Sequence, residues 1–295
     1  MKDKLCIVVM GPTAVGKTDY ACALAKHYNT SIISADSRQC YEELNAGVSK
    51  PGIDQLQEVI HYFINSHSIQ ENVNANVFEE YALEKIQKVF EQNDVAVMVG
   101  GTGLYIKAFC DGLDPIPVVD PEIRNKLLTS YNEYGIAWLQ QELHHIDPMY
   151  YANGELKNPH RMLRALEVRI STGRSVSDYH SREKKQRSFS IKKIGLTLPR
   201  EDLYIRIDKR VDCMIETGLL EEAVSLYPYH ALNALQTVGY RELFEHLDKK
   251  ISLEEAIKKI KTNTHRYAKR QMTWFRKDEE IQWLDARSEF KPHSQ

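Results

Sequence analysis

The 295-residue chain carries 27% charged residues, and no apolar run approaches the roughly 20 residues of a membrane span. Its net charge is -2, and its five cysteines are odd in number, widely spaced and without a C-x-x-C pair, which excludes a disulfide framework. The eleven histidines form no zinc-binding pattern with them. We therefore expect a soluble, cytoplasmic monomer without structural zinc, with one large α/β domain or two unequal ones.

The near-neutral net charge conceals three segments of strong and opposite charge. Residues 36–97 hold eleven acids and four bases, whereas residues 157–193 hold eleven Lys and Arg and three acids. Residues 256–277 contain eight Lys and Arg and no acid. The two basic segments are either solvated helix faces or the surface that contacts a polyanion such as a nucleic acid.

The first elements in chain order are a strand, a glycine-rich loop and a helix. The apolar run Leu5–Met10 precedes the G-x-x-x-x-G-K-[ST] pattern of a P-loop, and a helical period follows over 18–28. Backbone N–H groups and the helix N-terminus would surround a phosphate, Lys17 would add a positive charge, and the Thr18 hydroxyl would reach Mg²⁺. An ordinary strand-to-helix turn is the alternative. The residues expected to bind a di- or triphosphate are Gly11, Pro12, Thr13, Ala14, Val15, Gly16, Lys17 and Thr18.

The next hundred residues repeat the alternation of strand and helix. The pattern predicts strands over 31–35, 59–64 and 95–99, and helices over 77–90 and 104–109. Such alternation predicts a P-loop NTPase-like fold, in which a parallel sheet is flanked by helices and ligands bind at the carboxyl ends of the strands.

Three polar loops follow predicted strands and can meet in one crevice. They are the P-loop, residues 36–39 (DSRQ) and residues 100–105 (GGTGLY). Thr102 is either a ligand contact or only the N-cap of the next helix. These loops define the candidate site.

The segment DGLDPIPVVD (residues 111–120) marks a boundary, because its prolines and turn residues end the preceding helix. Helical patterns follow over 121–131, 137–144 and 158–171, with no strand between them. We predict a helical insertion domain over 112–198 and a core domain over 1–111 and 199–295, whose last sheet strand lies at about 192–198. Helices over 203–217, 219–227, 240–247 and 253–274 complete the core.

The chemistry depends on which strands end in an acid. A nucleotide-hydrolysing P-loop protein normally has a second strand that ends in an acid, whereas 95–99 ends in Gly100-Gly101. The only acid at a strand end is Asp36. It is a candidate general base that accepts a proton from a nucleophile attacking the carbon or phosphorus attached to a pyrophosphate leaving group. A Mg²⁺ ligand and a loop cap are the alternatives.

Basic residues are grouped on two of the predicted helices. Arg161 and Arg164 share a face of the helix over 158–171, and Lys269, Arg270 and Arg276 alternate with aromatic residues near residue 275. Such mixtures are typical of phosphate contacts beside stacking surfaces. Core packing is the alternative for Trp274 and Phe275.

With these residues in hand, the chain resembles the bacterial tRNA dimethylallyltransferases, the tRNA isopentenyltransferase family. The resemblance lies in seven motifs that span nearly the whole chain: GPTAVGKT at 11, ADSRQ at 35, GGTGLYIKA at 100, PEIR at 121, NPHRMLRALEV at 158, QTVGYREL at 236 and AKRQMTWFRK at 268.

The resemblance implies transfer of a dimethylallyl group from dimethylallyl diphosphate to N6 of adenosine 37 in tRNA, giving N6-dimethylallyladenosine. Asp36 would be the general base, while Lys17, Thr102 and Arg124 would complete the catalytic set, with Mg²⁺ on the diphosphate. A flipped adenine would enter the crevice. The residues expected to contact the anticodon stem-loop are Asp36, Ser37, Arg38, Gln39, His160, Arg161, Met162, Leu163, Arg164, Gln236, Gly239, Tyr240, Arg241, Lys269, Arg270, Trp274 and Arg276.

The sequence departs from the family pattern around the predicted substrate loop. Glu42–Ala46 replaces a common Lys-Gly-Met-Asp-Ile, Val48-Ser49 replaces Thr-Ala, and Asn65 replaces a frequent Asp. Competing functions are an adenylate isopentenyltransferase acting on a free nucleotide, a P-loop small-molecule kinase and a non-catalytic RNA-binding module. The basic segments disfavour the first, the missing second acid disfavours the second, and an intact P-loop beside Asp36 disfavours the third.

Overall fold

A computed structural model describes residues 4–180 and 183–288. The chain divides into a core unit, Met1–Gly112 with Lys185–Gln295, and a helical unit, Leu113–Lys184. Within the described residues the core unit contains one parallel sheet of six strands in the order β3-β2-β4-β1-β5-β6. The strands are β1 (Leu5–Met10), β2 (Ile32–Ala35), β3 (His61–Tyr62), β4 (Val95–Gly100), β5 (Ser190–Thr197) and β6 (Gln282–Asp285).

Helices cover the sheet in the core unit and make up most of the helical unit. In the core unit they are α1 (Lys17–His27), α2 (Ile53–Glu58), α3 (Ala75–Gln92), α4 (Gly103–Asp111), α8 (Arg200–Glu216), α9 (Leu219–Leu226), α10 (Tyr240–Leu247) and α11 (Leu253–Phe275). In the helical unit they are α5 (Pro121–Ile146), α6 (Pro148–Asn153) and α7 (Pro159–Thr172).

The centre of the sheet is apolar on both faces. Every residue of β4 is buried, and β1 lies between β4 and β5, with Leu5 aligned to both Val95 and Ser190. Continuous apolar strands are typical of parallel sheets, because helices cover both faces. This arrangement places the carboxyl ends of β1, β2 and β4 side by side.

The helical unit has its own hydrophobic core. Leu139 and Leu143 from α5 pack with Met162 and Leu166 from α7. The α5 segment is interrupted at Gly135, whose φ of 75° and ψ of -166° are not helical. A glycine adopts such a conformation at little steric cost, which explains why the sequence pattern shows two helices there.

Three details differ from the sequence-based expectations. β5 is not the last strand, because β6 pairs with it in parallel from Ile194 to Thr197. The helical unit ends at Lys184, before β5, rather than at residue 198. The strand expected over 59–64 contains only His61 and Tyr62. In addition, no helix within the described ranges 4–180 and 183–288 is long and apolar enough to cross a membrane.

Candidate active site

A cavity of about 670 Å³ opens in the core unit where β1, β2 and β4 end. The P-loop, the turn after β2 and Gly100-Gly101 line one part of it. Side chains of α8 and α11 and the segment 236–241 line the rest. Its volume falls in the range of small-molecule sites. The structure thus brings the three polar loops singled out in the sequence to one place.

Two glycines allow the P-loop to turn between β1 and α1. Gly11 has a φ of +149°, and a Cβ there would lie 2.6 Å from the carbonyl oxygen of Leu196. Gly16 has a φ of +103° and is the N-cap of α1. A side chain at either position would be strained or would collide. The glycines therefore hold the N-terminus of α1 close to the cavity.

Lys17 lies in a setting that disfavours its charge. Its Nζ donates a hydrogen bond to the carbonyl oxygen of Pro12 at 2.7 Å. Burial, and then the positive charge of Arg210, lower the pKa of Lys17 to about 7, while Asp36 acts in the opposite direction. An anion bound in the cavity would favour the charged form.

Two arginines on α8, neither of which belongs to a sequence motif named above, add further positive charge at the P-loop. Arg210 donates from Nε to Ser49 Oγ at 2.6 Å and from Nη1 to Thr13 Oγ1 at 2.9 Å. Arg206 donates to the Val15 carbonyl oxygen at 3.4 Å. Their i, i+4 spacing on a helix was the available signal. Together with Lys17 they make the cavity suitable for a polyphosphate.

Asp36 lines the cavity at the end of β2. Its Oδ1 accepts hydrogen bonds from the backbone N–H groups of Arg38 at 2.9 Å and Gln39 at 3.3 Å. This turn orients the carboxylate. Within the part of the chain that the structure describes, we find no hydrogen bond to Oδ2. One oxygen therefore fixes the loop, and the other is available to a ligand.

Thr102 connects the loops after β2 and β4. It is the N-cap residue of α4, but its side chain makes no capping hydrogen bond. Instead Oγ1 accepts from the backbone N–H of Ser37 at 3.0 Å. The preceding Gly100 is required because a Cβ there would lie 2.2 Å from the Ala35 carbonyl oxygen. Thr102 thus fixes the residue next to Asp36.

Gln271 links α11 to the P-loop, a role that its sequence motif does not reveal. The buried amide accepts from the Thr13 backbone N–H at 2.8 Å and donates to the Gly101 carbonyl oxygen at 2.9 Å. Tyr267, one turn earlier, also lines the cavity, and burial raises its pKa to about 12. The Tyr267 phenol therefore stays neutral at physiological pH.

The residues expected to contact tRNA in the core unit fall into three groups. Those that line the cavity are Ser37, Arg38, Gln39, Gln236, Gly239, Arg241 and Arg270. Lys269, Trp274 and Arg276 are exposed on or beside the end of α11. Tyr240 is fully buried, and its hydroxyl donates to Glu222 Oε1 at 2.5 Å. Its side chain belongs to the core, and Phe275 is likewise buried.

The Gln39 side chain is already engaged within the core unit. Its amide accepts from Ser34 Oγ at 3.0 Å and donates to the Ser49 carbonyl oxygen at 2.9 Å. These two bonds hold the loop after β2 against the loop that contains Ser49. The expected contact of Gln39 with RNA therefore has to compete with internal hydrogen bonds.

The remaining predicted residues lie in the helical unit. His160 and Arg161 are exposed at the start of α7, but Met162 and Leu163 are core residues of the unit, so their side chains are not free to contact RNA. The helical period explains this, since positions adjacent in sequence face different sides of α7.

Arg124 and Arg164 share one buried carboxylate in the helical unit. Arg124 Nη1 lies 3.5 Å from Glu167 Oε1, and Arg164 Nη1 lies 3.5 Å from Glu167 Oε2. Arg164 also donates to the Pro117 carbonyl oxygen at 3.3 Å. The half-exposed guanidinium of Arg124 is thus anchored at one side.

The described part of the cavity offers few side chains that could bind a metal ion. Thr18 lines it, but among residues 4–180 and 183–288 no group of three His, Cys, Asp or Glu side chains could hold a metal ion. Mg²⁺ is commonly bound through one or two protein oxygens together with substrate phosphates and water. The donor set therefore fits a Mg²⁺ ion that arrives with a polyphosphate.

Known proteins resemble this chain over almost its whole length. The family model "IPP transferase" matches residues 39–278. The tRNA dimethylallyltransferase of Christiangramia forsetii is 50% identical over 95% of this chain and 92% of its own. The tRNA dimethylallyltransferase 1 of Bacteroides thetaiotaomicron is 46% identical over 96% of this chain and 92% of its own.

Solved structures show the same similarity. The tRNA isopentenylpyrophosphate transferase of Bacillus halodurans is 36% identical, with a TM-score of 0.71 over 97% of this chain and 90% of its own. A eukaryotic dimethylallyltransferase, captured in crystallographic snapshots of its action on tRNA, is 27% identical, with a TM-score of 0.78 over 96% of this chain and 74% of its own. From its motifs, its P-loop fold and these similarities, we conclude that the chain belongs to the IPP transferase family of tRNA dimethylallyltransferases.

Proposed function

We propose that this chain transfers the dimethylallyl group of dimethylallyl diphosphate to N6 of adenosine 37, beside the anticodon of tRNA. The observation that carries this proposal is the position of Asp36, which lines the same cavity as Lys17 of the P-loop while its Oδ1 is held by the backbone of the turn after β2. The absence of an acid after β4, which ends in Gly100, disfavours nucleotide hydrolysis. The relatives' common description as tRNA dimethylallyltransferases supports the same reaction.

In the proposed reaction, N6 of the adenine attacks C1 of the dimethylallyl group. The new C–N bond forms as the C1–O bond to diphosphate breaks, and the bonding electrons leave with the diphosphate. Asp36 takes the proton that N6 loses. Lys17 and Arg210 stabilise the negative charge that accumulates on the leaving group. The P-loop is thus a leaving-group site.

Thr18 would hold a Mg²⁺ ion, which would neutralise part of the leaving-group charge when bound. We further propose, from their places in the family motifs, that Thr102 and Arg124 contact the bridging oxygen, the diphosphate or the flipped base. Thr102 Oγ1 also accepts from the backbone N–H of Ser37, next to Asp36.

The proposed reaction also requires that the chain bind tRNA. A base inside a stacked anticodon loop cannot reach a cavity, so the adenine must flip out of the loop. We assign Gln236, Gly239 and Arg241, which line the cavity, to contacts with the incoming nucleotide. We assign the exposed basic residues of α11, and His160, Arg161 and Arg164 of α7, to the RNA backbone.

A substrate comparison tests the reaction. The protein is incubated with Mg²⁺ and labelled dimethylallyl diphosphate, together with an anticodon stem-loop, AMP or no acceptor. We expect label on the stem-loop only, and none on a stem-loop in which guanosine replaces adenosine 37. Label on AMP but not on RNA would make the chain an adenylate isopentenyltransferase.

Asp36→Asn tests the general base while keeping the turn. The asparagine oxygen can still accept from Arg38 and Gln39, but the amide cannot take up a proton at neutral pH. We expect single-turnover transfer to slow by about 10²-fold or more, with stem-loop affinity within roughly twofold. Asp54→Asn, at an exposed position of α2, is the matched control. An unchanged transfer rate in Asp36→Asn would remove this residue from its role.

A further inference from the structure

Ser49 contacts both Arg210, which also bonds to the P-loop, and Gln39, in the turn after β2. Its Oγ accepts from Arg210 Nε at 2.6 Å, and its carbonyl oxygen accepts from Gln39 Nε2 at 2.9 Å. Arg210 belongs to the phosphate side of the cavity, and Gln39 belongs to the turn that orients Asp36. One residue therefore contacts both the cation and the loop of the candidate base.

The loop that carries Ser49 is fixed from outside the cavity. The Glu222 carboxylate accepts from the backbone N–H groups of Asn45, Ala46 and Gly47 at 2.8, 2.9 and 3.2 Å. Lys50 donates to the Tyr41 carbonyl oxygen at 2.7 Å. Ser49 therefore lies in a loop whose neighbouring residues on both sides make hydrogen bonds.

The hydrogen-bond partners of Arg210 leave its positive charge available to a ligand. Ser49 Oγ and Thr13 Oγ1 occupy Nε and Nη1, and both are neutral acceptors. Within the described part of the chain, no hydrogen bond from Nη2 of Arg210 is found. Neutral partners orient a guanidinium without cancelling its charge, whereas a carboxylate would compete with the ligand.

We propose that Ser49 is a positioning residue that orients the Arg210 guanidinium toward the diphosphate of the substrate. The inference rests on the proposed function, because it assumes that the P-loop cavity binds a diphosphate. The Ser49 hydroxyl oxygen is the atom that contacts the guanidinium. Its effect is exerted through Arg210 and not on the reacting atoms.

The test is a double-mutant cycle read by binding of inorganic diphosphate with Mg²⁺. Ser49→Ala removes the acceptor at Nε, and we expect calorimetric affinity to fall by roughly 3- to 10-fold. In an Arg210→Gln background, Ser49→Ala should change the affinity by less than about twofold. Thr129→Ala, which removes an exposed hydroxyl from α5, is the control and should leave the affinity unchanged.

Steady-state kinetics separate positioning from a structural role. Ser49→Ala should raise KM for dimethylallyl diphosphate, while KM for the stem-loop and the melting temperature stay close to those of the unsubstituted chain. An equal loss of affinity in both backgrounds, or no loss in either, would overturn the inference. If the unsubstituted chain binds diphosphate but transfers nothing to RNA, the proposed function alone fails. If it binds no diphosphate, both fail.

Discussion

Lys17 lies in surroundings that favour the neutral form of its side chain. Burial, and then the positive charge of Arg210, lower the pKa of Lys17 to about 7, although its Nζ donates to the carbonyl oxygen of Pro12. Between pH 7 and its ordinary pKa near 10.5, most copies are neutral. A diphosphate supplies the negative charge that returns the proton. Binding above pH 7 is therefore coupled to proton uptake by Lys17.

The proton uptake can be measured directly. At pH 8, we expect binding of diphosphate with Mg²⁺ to take up close to one more proton in the unsubstituted chain than in Lys17→Arg, since arginine is charged throughout. The readout is calorimetry in two buffers of different ionisation enthalpy, and the comparison cancels protons taken up by diphosphate itself. Affinity should also fall more steeply above pH 7 with lysine. Equal uptake in the two proteins would contradict the lowered pKa.

At the scale of elements, the Gln271 side chain of α11 connects two loops of the cavity. Gln271 satisfies the Thr13 N–H and the Gly101 carbonyl oxygen at once, so a helix with an exposed basic end also fixes the phosphate loop. Trp274, one turn later, packs where a Cβ on Gly103 would lie 2.3 Å from the indole. These contacts explain why α11 and the loop after β4 carry conspicuous sequence motifs.

Removal of the hydrogen bonds that Gln271 makes to Thr13 and Gly101 should lower the free energy of unfolding. Gln271→Leu leaves the partly buried Thr13 N–H and the buried Gly101 carbonyl oxygen without partners, and we expect the free energy of unfolding to fall by about 1 to 3 kcal/mol. Urea titration of the full chain measures the change. Thr262→Ala, at an exposed position on the same helix, should stay within about 0.5 kcal/mol of the unsubstituted chain. A decrease in Gln271→Leu no larger than in this control would show that these hydrogen bonds contribute little.

Elements with a clear hydrophobic period could be predicted from sequence, and those stabilised by distant contacts could not. α1, β4 and α7 were predicted to within a few residues because burial imposes the period directly. β6 has no fully buried residue, so its pairing with β5 leaves a weak pattern. α2, a single short helix with no buried residue, was missed for the same reason.

The residues of the candidate site also divide into those that local motifs predict and those that act through distant contacts. The P-loop, Asp36 and Gly100-Gly101 are local motifs, and the strand ends bring them together as the sequence suggested. Arg210 and Gln271 act through contacts with residues more than 150 positions away, which no local pattern records. Tyr240 was assigned to RNA by its motif, but its pairing with Glu222 makes it part of the core.

At the scale of the whole molecule, charge is segregated along the chain. The acidic segment 36–97 and the basic segment 256–277 both belong to the core unit, while much of the basic segment 157–193 lies in the helical unit. A near-neutral protein can therefore present local positive surfaces to an RNA. We assign the exposed Lys269 and Arg270 to such a surface.

The assignment of Lys269 and Arg270 to an RNA-contacting surface predicts how salt affects stem-loop binding. Stem-loop affinity should fall as salt rises, and the slope of log K against log salt should become shallower by roughly 0.7 to 0.9 for each RNA phosphate that the protein no longer neutralises. We expect this change when Lys269 and Arg270 are both replaced by glutamine. The control replaces Lys85 and Lys88, which pair with Glu84 on α3, and should keep the original slope. A salt-independent affinity would refute the RNA footprint.

The insertion of the helical unit before β5 has a consequence for biosynthesis. β1 aligns with Ser190 of β5, so about 185 residues must be synthesised before that side of β1 is paired. At translation rates of roughly 5 to 20 residues per second, this takes on the order of 10 to 40 s. The helical unit, with a core of its own, emerges within that interval. The unpaired apolar edge of β1 is then an aggregation hazard of the nascent chain.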